Sequence, residues 1–115
     1  MKLKVSATAA NEKVGPLDDT GAQAFNGRFV QVSLGEQPQG STVTAGTLTF
    51  RAKAVGAYAA EDIIDSATGS AIAAMDLSSP QTFTIQNQNI SYLEVTAAGV
   101  ASDLDYLILE VTTLR

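Results

Sequence analysis

Apolar and polar residues alternate with a period of two along most of this chain, and that pattern constrains its fold more than any other feature. In Leu48-Thr49-Phe50-Arg51-Ala52-Lys53-Ala54 every second side chain is apolar, which puts one face of an extended strand in a core and the other in water. The pattern recurs in Leu3, Val5 and Ala7 against Lys2, Lys4 and Ser6, and in Val30, Val32 and Leu34 against Phe29, Gln31 and Ser33. It returns near the C-terminus, where Leu107, Leu109 and Val111 oppose Tyr106, Ile108 and Glu110. Lysines in the first segment suit a sheet edge. Apolar residues on both faces of the last suit a central strand.

The remaining segments are shorter. Strands are expected over residues 47–55, 81–86 and 90–96, the last ending in a turn at Ala97-Ala98-Gly99. Residues 58–65 and 71–77 read as a hairpin around Asp65-Ser66-Ala67-Thr68-Gly69-Ser70, with short helix as the competing reading of both because they are rich in Ala. Turn formers crowd residues 11–24, the longest irregular segment expected, and again residues 35–40 and Ser78-Ser79-Pro80. About eight short strands at this spacing predict an all-β fold, a single antiparallel β-sandwich of jelly-roll or Ig-like kind. At 115 residues the chain fits one domain spanning residues 1–115.

Composition narrows what such a fold does. The chain holds no His, Cys or Trp. Without His, a nucleophilic Ser needs Lys or a carboxylate as its base, and no Gly-x-Ser-x-Gly elbow, Ser-x-x-Lys pair or Gly-rich phosphate loop occurs. The expectation is a protein that is not an enzyme and that uses no cofactor and no metal. The acidic clusters Asp18-Asp19, Glu61-Asp62 with Asp65, and Asp103 with Asp105 match no calcium loop and read as solvated turns. Seven basic residues against twelve acidic ones leave a net charge of −5, and the basic ones are scattered, which argues against a nucleic-acid partner. No apolar run is long enough for a membrane helix, and residues 1–12 are too polar for a signal peptide. Hydrophobic residues make up 45% of the chain, but 18 of them are Ala, so the core is thin and burial in an assembly would compensate. Asn89-Ile90-Ser91 matches a glycosylation acceptor by chance. Tyr58, Tyr92 and Tyr106 read as strand packing with wet hydroxyls, although they could also stack on sugar rings. Arg51 and Lys53 read as solvated charges or as partners for acids of a neighbouring subunit.

The segment AIAAMDLSSPQTFTIQNQNISYLEVTAAGV, residues 71–100, resembles the C-terminal half of small structural proteins of tailed-phage virions. In those a strand ending in Asp-Leu-Ser leads to a short Phe/Ile strand and then to one ending Val-Thr-x-x-Gly. Gly46-Thr47-Leu48-Thr49-Phe50-Arg51-Ala52 with Val55-Gly56-Ala57 resembles them too, so the likeness extends over residues 46–113. It implies a β-sandwich subunit of a virion, assembled in the host cytoplasm. The first expectation is a capsid decoration (cement) protein that bridges major capsid protein subunits, commonly as a homo-oligomer. A tail, fibre or head–tail connection subunit is the alternative in the same class, and a carbohydrate-binding β-sandwich or a hydrolase the alternatives outside it. The resemblance carries over no catalytic residue. The irregular segment 11–25 is the candidate contact arm, with apolar Val14, Leu17 and Phe25 among turn formers; the other role open to these three is to cover the sandwich's own open end.

Overall fold

The computed structural model describes residues 2–15, 25, 27–64, 69–87 and 89–114. These form β1 (Lys2–Ser6), β2 (Glu12–Val14), β3 (Phe29–Leu34), β4 (Val43–Ala54), β5 (Glu61–Asp62), β6 (Met75–Asp76), β7 (Phe83–Gln86), β8 (Ile90–Ser102) and β9 (Tyr106–Leu114), with no helix. Two sheets result, one in the order β1-β9-β3-β7 and the other in the order β2-β8-β4-β5, with β6 also pairing with β4. All strand pairs are antiparallel. The all-β, two-sheet sandwich expected from the alternation is the fold.

The inward faces are those the alternation picks out. Val5, Val30, Val32, Leu107, Leu109 and Val111 from the first sheet meet Leu48, Leu93 and Val95 from the second, all at most 1% exposed. Each such side chain contributes about 1.5–3 kcal/mol through burial. The sheets also touch through Phe50 and Phe83, whose rings meet edge to face at 6.0 Å, an arrangement favoured by the ring quadrupoles. Strand β1 lies at a sheet edge with Lys2 and Lys4 exposed, and β9 lies between β1 and β3, as their sequences suggested.

Four expectations need correction. Ala97-Ala98-Gly99 is not a chain reversal, because β8 runs on through it to Ser102 against an equally lengthened β4 that starts at Val43 rather than at residue 47. The glycines that signalled a turn are used to bulge this long ribbon. The pairing register shifts between Val43 and Ala45 and between Ala45 and Thr47, and Gly46 and Gly99 take φ of +114° and +61°. Residues 12–14, placed in an irregular segment, form β2 because β8 offers them a partner at Leu93, Glu94 and Val95. Residues 58–65 and 71–77 make less strand than expected. Among the described residues only β5, β6, an Ile64–Ala71 bridge and a hydrogen bond from the Ile72 amide to the Ile63 carbonyl (2.8 Å) form, and β6 pairs with β4 instead. The described residues hold nine strands, close to the eight expected.

Side-chain amides finish what the backbone leaves open. Gln37 donates to the carbonyls of Gly35 and Ile108 (2.8 and 2.9 Å) and accepts from the Ile108 amide (3.1 Å), so it extends β3's ladder along β9 beyond Leu34. At the other end of the sandwich Asn87 donates to the carbonyls of Phe25 and Gly27 (2.7 and 2.9 Å) and accepts from the Ile90 amide (3.0 Å). That single side chain ties the approach to β3 to the start of β8.

Candidate functional site

The polar residues singled out in the sequence prove mostly to be structural. The Asp103 carboxylate accepts from the Thr42 amide (2.9 Å) and hydroxyl (3.2 Å), pinning the entry of β4 to the β8–β9 turn. Asp62 pairs with Arg51 at 3.4 Å, so Arg51 finds its acid within the chain. Lys53 is 7% exposed rather than solvated, with its ammonium donating to the Ala54 carbonyl (3.1 Å) and lying 6.0 Å from the Tyr92 ring centre. Lys13 approaches the same ring at 5.0 Å, and Lys4 lies 4.2 Å from the Tyr106 ring centre. Tyr92 and Tyr106 are thus packing residues of the outer faces. Ser91 of the glycosylation-like triplet is fully buried. Asp18, Asp19 and Asp65 lie outside the described residues, and among the described residues no three potential ligands are grouped to hold a metal ion.

Of the proposed contact residues, Val14 and Phe25 are each 5% exposed and belong to the core cluster. The Phe25 amide donates to the Ile90 carbonyl (2.9 Å) and its own carbonyl accepts from Asn87. Both side chains pack into the sandwich core, and Leu17 lies outside the described residues.

The surface that stands out lies elsewhere, along the side of β5 and β7, one edge of each sheet. Among the described residues three large apolar side chains are exposed: Tyr58 fully, Ile64 at 58% and Phe29 at 39%. Ile64 lines two grooves on that side. The first, about 250 Å³, runs under the β4–β5 connection and is lined by Ala57, Ala59, Ile63, Ile64, Ile85 and Ile90. Tyr58 stands between the two alanines at its rim. The second, about 350 Å³, follows β7 and is lined by Ile63, Ile64, Ile72, Phe83, Thr84 and Gln86. Phe29 sits directly across from Gln86 on the outer face of the first sheet.

Sequence reasoning missed Ile64, and it read Tyr58 as packing. A local hint existed for Tyr58 alone. Val55-Gly56-Ala57-Tyr58-Ala59-Ala60 surrounds one ring with small residues, leaving nothing large beside it to pack on.

Glu61 and Asp62 also line the first groove. As consecutive strand residues they project to opposite sides, and Asp62 is engaged by Arg51, so the two carboxylates do not converge on one point. A sugar site built from stacked rings would want neighbouring aromatics, whereas Tyr58 lies in the β4–β5 connection and Phe29 on β3 of the other sheet. A third depression, between Lys4, Ser6, Glu12, Asp105 and Tyr106, is polar, and there Glu12 is occupied by the Ser6 amide (3.2 Å). No protein-family model, curated protein or solved structure matches this chain.

Proposed function

We propose that this protein is a non-enzymatic structural subunit of a tailed-phage virion, acting as a capsid decoration protein that stabilises the head by bridging major capsid protein subunits. The likeness of residues 46–113 to such proteins supports the class. The observation that carries the mechanism is Tyr58, wholly exposed in the β4–β5 connection between Ala57 and Ala59, which line a groove of mixed polar and apolar character. A rigid amphipathic ring of this kind is the usual anchor of a protein interface, because it buries a large area while giving up only two torsional freedoms. Seated in a joint between capsid proteins, it would add interface free energy where the pressure of packaged DNA pulls the subunits apart. A net charge of −5 keeps the chain off the DNA inside and disfavours contact elsewhere on its surface with like-charged neighbours.

The test is binding to expanded empty capsids of the phage whose genome encodes the chain. The expected result is saturable binding at a symmetry-related copy number, weakened about tenfold or more by Tyr58→Ala with an unchanged melting temperature. Failure of the parent chain to bind, or attachment at the tail alone, overturns the decoration role.

A further inference from the structure

We infer that β7 is a self-association edge, through which two copies of this chain pair antiparallel about a two-fold axis and join their four-stranded sheets into one of eight strands. The inference starts from how the edges are defended. A strand at a sheet edge presents unpaired amides and carbonyls to any passing strand, and charged side chains are the usual guard. Strand β1 carries Lys2 and Lys4, β2 carries Glu12 and Lys13, β5 carries Glu61 and Asp62, and β6 carries Asp76. Strand β7, Phe83-Thr84-Ile85-Gln86, carries no charge and, among the described residues, pairs only with β3 and ends its sheet. It lies within residues 77–93, in which no residue is charged.

Charge also selects the occupant. Two copies that each carry −5 repel at most faces, and β5 against β5 would set acids against acids. Contact through β7 brings together the one named edge that is neutral on both sides. A two-fold axis makes the same patch face itself, and β7 suits that arrangement in chemistry as well as charge. Keeping the core-facing residues of both copies on one side requires a residue to oppose another of the same facing. Centred on Thr84, the pairing sets Thr84 against Thr84, and Phe83 against the partner's Ile85. Thr–Thr and aromatic–β-branched pairs are both favourable across strands. Four residues alone make a weak ladder. The groove beside β7, with Ile64 58% exposed and Ile72 part-buried, supplies further apolar area to cover.

The proposal needs no capsid, and its test stands apart from the virion reading. Sedimentation equilibrium of the purified chain should give a mass twice that of one chain. Thr84 is exposed on the outer face, so Thr84→Lys and Thr84→Glu keep the circular dichroism of the parent. Each sets like charges directly opposite one another, which weakens the dimer about tenfold or more. An equimolar mixture of the two variants recovers a mixed dimer, since lysine then faces glutamate. Lys4→Glu on β1 leaves the dimer intact. A parent chain that stays monomeric through the micromolar range, a Thr84→Lys variant that dimerises as tightly as the parent, or failure of the mixture to pair overturns the inference. So does loss of the dimer in Lys4→Glu, which would put the interface at β1.

Discussion

Two side chains show how much of this molecule rests on single polar groups. Asn87 uses its whole amide, with two N–H bonds to the Phe25 and Gly27 carbonyls and one acceptor bond from the Ile90 amide. Asn87→Ala strands those partners and should cost about 1–3 kcal/mol. Asn87→Asp should cost more at neutral pH, because a carboxylate only accepts and would face two carbonyl oxygens. Denaturant titration of both variants checks the order, and a better tolerated Asp would contradict the hydrogen-bond assignment. Asp76 is the second case. The Ser78 hydroxyl (2.7 Å) and then the Ser78 amide (2.9 Å) donate to its carboxylate and hold its pKa below the ordinary 3.8. Both bonds favour the ionised form. The stabilisation they give the fold is therefore complete above the unfolded-state pKa and is lost as the pH falls through the lower folded-state value. Asp76 is exposed, so the effect is small and screened by salt. A carboxyl-carbon NMR titration should place its midpoint below 3.8 in the parent and move it upward in Ser78→Ala; an unmoved midpoint would contradict the account.

At the scale of elements, the glycines of the long ribbon decide more than its apolar residues do. Strands β4 and β8 stay paired past Thr47 and Ala98 because Gly46 occupies a left-handed backbone conformation, at φ +114°, where a Cβ would come within 2.6 Å of the Val100 backbone. Gly46→Ala should therefore cost about 1–3 kcal/mol and lower the melting temperature by several degrees; an unchanged melting temperature would mean that the ribbon is not held as described. The same residues mark the limit of what the sequence disclosed. Alternation identified β1, β3, β7 and β9 and the inward faces of β4 and β8, because burial of one face is written in every second residue. Whether Ala97-Ala98-Gly99 reverses the chain or bulges it depends on a partner strand about fifty positions away, which local pattern does not contain. Strand β2 was illegible for the same reason, since three residues pair only because β8 is there. The exposure of Tyr58 and Ile64 likewise follows from which edges the two sheets leave uncovered.

At the scale of the molecule, neighbours in the sheets are seldom neighbours in the chain. Strand β1 pairs with β9, β3 with β7 and β9, and β2 with β8, while only β4 and β5 are consecutive. The N-terminal and C-terminal strands thereby lock one another into the first sheet. The topology leaves β5 and β7 as sheet edges, and Tyr58 and Ile64 are exposed on either side of β5. The two proposed contacts divide that side between them, with the Tyr58 tip directed to the capsid lattice and the uncharged β7 edge to a second copy. The measurement that bears most directly on this account is a cryo-electron microscopy map of expanded empty capsids saturated with the chain. The account predicts density at symmetry-related lattice positions, with the β4–β5 tip seated in the joints between capsid proteins. Capsids without added density, or density only at the tail, would contradict it.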